Sequence, residues 1–269
     1  MGRDVRSLGR QPCFSSQGNR VVTDAQDGRR RLERLGFRAR PSFETVKVDG
    51  WVLRFADGYT KRANSVNPHF GSTLPVSAKI AHCEALYAQR GLPTIFRLTP
   101  FSEPADLDRA LAAAGYDVLD QSLVMEASLD RAPDLESGNV LGVPAGEWFS
   151  AFDRLCPLDR AKQAAHRRIV ESAQGTRCFA LIEQSGDPIV CGLGVLVDAA
   201  VGLFDLYTAE EHRRRGHGAA VIGSILRWAA HQGARTAFLQ VHSQNTPARR
   251  LYERFGFEVA YPYWYRIKT

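Results

Sequence analysis

The chain has 269 residues, 44% of them hydrophobic and 24% charged, with a formal net charge of +6. That length buries a sizeable core as one large domain or two small ones; no run approaches the ~18 apolar residues of a membrane span and no apolar leader opens the chain, so a membrane or secreted protein is not expected and a cytoplasmic one is. Residues 1–40 carry ten arginines against Asp4, Asp24, Asp27 and Glu33, while the remainder balances at 25 basic and 25 acidic residues, so the positive excess is local and nucleic acid is not expected as a partner.

In chain order, residues 1–28 lack apolar periodicity and read as a basic, loosely packed extension. A short helix is predicted over 29–36. Strands follow from Phe43, with Asp49-Gly50 and Asp57-Gly58 as hairpin-type dipeptides. Tyr59 to Val66 reads as a strand leading into a loop over 67–75. A helix over 76–90 stops at Gly91; a strand at 94–99, a helix at 105–114 and a strand at 116–127 complete the first half. The Asp-, Pro-, Glu- and Ser-containing stretch 131–139 reads as a linker. Beyond it come helices at 145–155 and 158–173, strands at 177–184, 189–197 and 201–208, a helix at 218–231, a strand at 236–242, a helix at 247–255 and a strand at 257–267. The five cysteines, Cys13, Cys83, Cys156, Cys178 and Cys191, form no Cys-x-x-Cys pair. Neither a disulfide framework nor a metal site is expected, and Cys178 and Cys191 read as small buried side chains.

The two halves share landmarks. Gly91 and Gly233 are 142 apart, and Gly115-Tyr116 and Gly256-Phe257 are 141 apart. Between those landmarks both run strand, helix, glycine, aromatic, strand, as in a tandem repeat of one α/β unit. The polar residues are not repeated: at the same offset Gly216 and Gly218 fall on Pro75 and Ser77, Asn245 on Pro104 and Tyr252 on Leu111. The expected organisation is therefore a degenerate copy over 29–130 and a working copy over 140–269.

Two segments of that second copy carry chemistry. The first is a strand ending Leu206-Tyr207-Thr208, then Arg213-Arg214-Arg215-Gly216-His217-Gly218-Ala219 opening a helix. Unpaired N–H groups and the dipole of a helix start favour an anion, glycines permit close approach, and three arginines add positive charge. The second is a strand followed by Asn245, Thr246 as a plausible N-cap, Pro247 in the first turn, then Ala248, Leu251 and Tyr252 on one helix side and Gly256 beyond its end.

The joint pattern strand, Arg-x-x-Gly-x-Gly, helix, strand, Asn-x-x-Ala-x-x-Leu-Tyr-x-x-x-Gly-Phe resembles the GNAT acetyltransferases, closely over 201–267 and in element order from 140. The resemblance implies a mixed, mostly antiparallel α/β sheet flanked by helices, whose two middle strands splay to admit the pantetheine arm of acetyl-CoA. It maps pantetheine pairing onto Leu206, Tyr207 and Thr208. It maps pyrophosphate binding onto the backbone from Arg213 to Ala219, cofactor-arm contact onto Asn245, and protonation of the leaving thiolate onto Tyr252. The implied reaction is direct attack of a small-molecule or peptide primary amine on the acetyl thioester.

The general base is not where the family has it. The strand positions where several members carry Glu or His hold Gly202 and Phe204, and simple alternation turns Asp205 to the other face. His242, at the end of the next strand, reads more readily as a structural histidine. Arg62, Asn64, Ser65 and Asn67 could line a cleft between the halves, or serve turn chemistry. Two other readings stay open: a non-catalytic acyl-CoA-binding module, and a relative that uses an aminoacyl-tRNA donor. Homodimerisation is also open.

Overall fold

The computed structural model describes residues 17–71, 73–130 and 141–268. The expected linker at 131–139 and residues 1–16 of the expected extension lie outside the described residues. The rest of that extension is helical: α1 spans Gln17–Ala39. Leu32, Leu35 and Ala39, spaced three and four apart, bury one stripe of it, and no proline interrupts the residues before them. Strands β1 (Glu44–Val48) and β2 (Trp51–Phe55) form a hairpin at Asp49-Gly50, both at positive φ, as that dipeptide predicts.

The strand expected over 59–66 does not form. A 3-10 turn occupies Lys61–Ala63 and β3 is only Val66–Asn67. Asn64 is the cause: its Oδ1 accepts from the N–H groups of Ala56 and Gly58, and its Nδ2 donates to the carbonyls of Ala56 and Thr60. A side chain that serves four backbone groups folds the segment onto itself.

Thereafter come α2 (Val76–Ala88), β4 (Ile95–Leu98), α3 (Leu107–Ala113) and β5 (Asp117–Ser128). They are followed by β6 (Leu141–Gly142), α4 (Ala145–Leu155), α5 (Arg160–Glu171), β7 (Thr176–Gln184), β8 (Asp187–Val197), β9 (Ala200–Thr208), α6 (His217–His231), β10 (Thr236–His242), α7 (Thr246–Glu253) and β11 (Glu258–Ile267). Among the described residues no helix is long and apolar enough to cross a membrane.

All eleven strands join one sheet, in the order β1-β2-β3-β4-β11-β5-β10-β9-β8-β7-β6. Eight of the ten pairings are antiparallel; β3·β4 and β9·β10 are parallel. The last strand, β11, lies between β4 and β5, and β5 lies between β11 and β10. The hydrogen-bonded ladder therefore runs unbroken past the position of the expected linker. One face is covered by α1 and α4, whose Leu32, Leu35, Trp148 and Phe152 pack with Leu193, Phe204, Phe238 and Tyr261. The other face carries α6 and α7 over β7 to β10, and α2 with α3 over the β2–β4 end. Glycines set the close approach of α6: a Cβ on Gly192 or Gly194 would come within 2.6 Å of Val221 or Ile225.

The midline of the first face is polar and sealed. Glu33 of α1 takes a two-point contact from Arg97 of β4 (2.5 and 2.9 Å) and a hydrogen bond from the Tyr261 hydroxyl of β11 (2.6 Å). Burial alone would raise the Glu33 carboxyl, but Arg97, His69 and Tyr261 hold it below its ordinary value.

β9 contains the local irregularity that matters most. Its register against β8 slips between Leu193↔Phe204 and Cys191↔Tyr207, and Asp205 sits there at φ 49°. This bulge resets the alternation. Asp205 does not turn away from Phe204, as a regular strand would require. Both face the α1/α5 side, where Arg40 contacts the Asp205 carboxylate (2.7 and 3.3 Å) and lies over the Phe204 ring. His166 of α5 approaches the same carboxylate through Nε2 at 3.0 Å.

Burial opposes the Asp205 charge, yet Arg40 and His166 hold its carboxyl far below the ordinary carboxylate range. A depressed folded pKa contributes stability that is present above the unfolded value of ~3.9 and is lost as pH falls below it. Asp205→Asn should therefore cost about 3–5 kcal/mol at pH 7. Urea midpoints should show the gap to the unmodified protein narrowing at pH 3; an equal gap at both pH values would refute this account.

Candidate functional site

The ladder between β9 and β10 contains four pairs, from Ala200↔Thr236 to Leu203↔Leu239. Both strands continue, β9 to Thr208 and β10 to His242, without pairing further. Two rings sit where they part: Phe204 and Phe238 meet edge to face at 6.1 Å. Gly202 makes room for them, because a Cβ there would come within 2.5 Å of Phe204 and 2.8 Å of Phe238. The two positions where the family carries a base are thus packed apolar space: Gly202 cannot hold a side chain, and the Phe204 ring is buried.

Next to this gap lies a cavity of about 900 Å³. Leu206, Tyr207 and Thr208 of β9 form one wall. Thr208 and Tyr207 pair with Val190 and Cys191 of β8 on the opposite edge, so the edge facing β10 has no strand partner. Arg213, Arg214, Gly216, His217, Gly218 and Ala219 form the second wall, at the start of α6. Arg214 and Gly216 adopt positive φ, 63° and 87°, and Gly216 is the N-cap residue. The first N–H groups of α6 have no partner within the helix, and the helix start adds its dipole. Arg215 does not line the cavity; the other two arginines do, and Arg213 is steadied by its Nε bond to the Thr208 carbonyl at 3.2 Å.

The third wall is α7 and the turn before it, with Asn245 and Tyr252. Asn245, not Thr246, is the N-cap: its Oδ1 accepts from the Ala248 N–H at 3.2 Å. That bond fixes the amide and leaves Nδ2 as its donor. Tyr252 is half-buried, packed edge to face on Phe257 at 6.0 Å. Burial pushes its phenol up to about 12, with Arg62 opposing, so the hydroxyl is protonated at neutral pH. Eleven of the twelve residues singled out from the sequence thus border a single cavity, Arg215 being the exception.

The other polar residues sort differently. His242 is exposed, and its Nδ1 accepts the Gln244 N–H at 3.2 Å; in a neutral imidazole that nitrogen is the one with a lone pair, and it is occupied. Asn64, Ser65 and Asn67 are buried. Asn64 serves the turn described above, and Asn67 donates to the Ser65 carbonyl at 2.8 Å. Arg62 is half-buried, and its carbonyl accepts from Arg54 at 2.6 Å. Sequence reasoning missed Arg40 and His166, the partners of Asp205; neither carries a local signal, since they come from the end of α1 and the middle of α5. Cys83, Cys156, Cys178 and Cys191 are unpaired. Cys191 is buried, and Cys178 is only partly so. Among the described residues no three His, Cys, Asp or Glu side chains gather as metal ligands.

Comparison with known proteins places the chain in a family. The family model described as the C-terminal region of the probable histone acetyltransferase Rv0428c matches residues 22–266. The uncharacterized N-acetyltransferase YobR of Bacillus subtilis (strain 168) is 30% identical over 248 residues, 90% of this chain and 99% of that protein. The probable histone acetyltransferase Rv0428c of Mycobacterium tuberculosis (strain ATCC 25618 / H37Rv) is 30% identical over 256 residues, 89% of this chain and 75% of that protein. In fold, a GCN5-related N-acetyltransferase from Kribbella flavida superposes with a TM-score of 0.69 at 16% identity, over 88% of this chain and 94% of its own. The chain belongs to the Rv0428c C-terminal acetyltransferase family, within the GNAT superfamily of N-acetyltransferases.

Proposed function

We propose that this acyltransferase uses acetyl-CoA and acetylates the primary amine of a small-molecule or peptide acceptor by direct attack. The observation that carries the reading is the single cavity where an unpaired β9 edge, an anion-attracting helix start and the Tyr252 hydroxyl converge. The pantetheine amides would pair with the backbone of Leu206 to Thr208, as an added strand does. The pyrophosphate would lie on the N–H groups from Arg214 to Ala219. Asn245 would contact the arm through Nδ2. The landmarks shared by residues 29–130 and 140–269 support two tandem related units, of which the second holds this site.

In the transfer, the neutral amine nitrogen forms a bond to the thioester carbonyl carbon and the C–S bond breaks. A β9 backbone N–H facing the gap polarises the carbonyl as charge develops on its oxygen. The sulfur leaves as thiolate, accepting a hydrogen bond from the Tyr252 hydroxyl, and the nitrogen loses its extra proton to water. A phenol at about 12 is a weaker acid than an ordinary thiol. Its part is therefore hydrogen-bond donation that strengthens as charge builds on sulfur.

Three measurements bear on this. Calorimetry should detect acetyl-CoA binding, and its failure would overturn the reading outright. Tyr252→Phe should lower kcat about 100-fold or more in a free-thiol assay over a primary-amine panel, with acetyl-CoA affinity retained; loss of affinity without loss of kcat would move Tyr252 out of the chemistry. His242→Asn, which keeps an acceptor for the Gln244 N–H, should leave kcat/KM nearly unchanged, whereas a true general base would cost 100-fold or more.

A further inference from the structure

The charged side chains around the cavity are all of one sign. Arg213, Arg214, Arg250 and Arg254 border it together with His212 and His217, and no aspartate or glutamate does. Of the four arginines only Arg213 has a carboxylate within ion-pair distance, that of Glu210 at 3.8 Å. Among the described residues the guanidiniums of Arg214, Arg250 and Arg254 make no hydrogen bond or ion pair. Elsewhere in the fold Arg40, Arg97 and Arg266 are each held by a carboxylate.

Arg250 and Arg254 belong to the wall opposite the start of α6. Pro247, Arg250 and Arg254 follow at spacings of three and four along α7 and its C-cap, so they share one side of the helix. Ala248, Leu251 and Tyr252 are half-buried and turn inward onto the core. Arg250 and Arg254 are exposed, yet they still border the cavity. The two guanidiniums therefore stand one helical turn apart at its rim. Like charges at that spacing repel. The helix C-terminus eases the repulsion, but it leaves their forked N–H donors with no protein acceptor.

An acyl-CoA is anionic at two places. Its pyrophosphate is matched by the N–H groups at the start of α6, with Arg213 and Arg214 beside them. Its ribose 3′-phosphate is a monoester with a charge of about −1.5 to −2 at pH 7 and three acceptor oxygens. Such a group suits a pair of guanidiniums, each of which can offer it two parallel N–H bonds. We propose that Arg250 and Arg254 bind the ribose 3′-phosphate, so that the protein selects the phosphorylated coenzyme over its 3′-dephospho form; this rests on the reading of the cavity as the acyl-CoA site. The same one-signed lining draws a polyanion toward the cavity, with a pull that weakens as salt rises.

The test measures dissociation constants by calorimetry, at one fixed ionic strength, for acetyl-CoA and acetyl-3′-dephospho-CoA. The unmodified protein should bind the phosphorylated form about 10–100-fold more tightly, the worth of one or two charge-assisted contacts. Arg250→Gln and Arg254→Gln should each shrink that ratio. The double variant should bring it near unity by weakening acetyl-CoA alone, and Arg250→Lys should keep part of it. Binding of the dephospho form reports that each variant is folded. The proposal is overturned if the unmodified protein binds both forms equally or if the ratio survives in the double variant. It is also overturned if that variant loses affinity for both forms alike, which would assign the arginines to the pyrophosphate. Absence of acetyl-CoA binding in the unmodified protein would instead defeat the cofactor reading, and this proposal with it.

Discussion

The rest of the site follows from one place where the sheet is not allowed to close. β9 and β10 run parallel for four residue pairs and then part at Leu203 and Leu239. Gly202 admits the Phe204 and Phe238 rings as a wedge, and the bulge at Asp205 rotates the remainder of β9. A half-buried strand edge with free N–H and C=O groups is costly unless something pairs with it. An extended ligand with regularly spaced amides meets that demand, and the cavity beside Leu206 to Thr208 has room for one.

A sheet interrupted between two central strands needs holding from elsewhere. Here β5 crosses to pair with β10, and β11 crosses back to pair with β4, so neither half closes its own edge. The buried Glu33–Arg97–Tyr261 contact joins α1, β4 and β11 across the same line. Removing one member of such a group would leave an unpaired charge in the interior. The exchange also brings the 3-10 turn at Lys61–Ala63 to the open end of β10, through Lys61 and Asp120 on β5.

This division explains what could be read from the residues alone. The cavity walls at β9 and the starts of α6 and α7 are set by backbone, and backbone geometry writes itself locally: glycine at a left-handed helix start, asparagine at an N-cap, proline in the first turn. Those signals placed eleven residues on one cavity. The surroundings of Asp205 are built from side chains distant in sequence. Arg40, His166 and Asp205 come from the residue after α1, from α5 and from β9, and no spacing rule connects them. The bulge was illegible because a non-glycine residue occupies the left-handed position. The turn at Asn64 was misread as strand because its four bonds depend on a fold-back that period-two patterning does not reveal.

In the proposed transfer the acceptor amine must become neutral, and among the described residues none of the bases weighed for this gap is placed to take its proton. Gly202 and Phe204 form apolar packing, His242 has its basic nitrogen occupied, and Asp205 is bound by two partners that hold it far from the range of a general base. An ammonium entering this gap would leave water for a surface of aromatic rings. Desolvation disfavours a cation, and it acts on the substrate before any proton is handed to the protein. On this argument the environment lowers the amine's own pKa, and water suffices to carry the proton away.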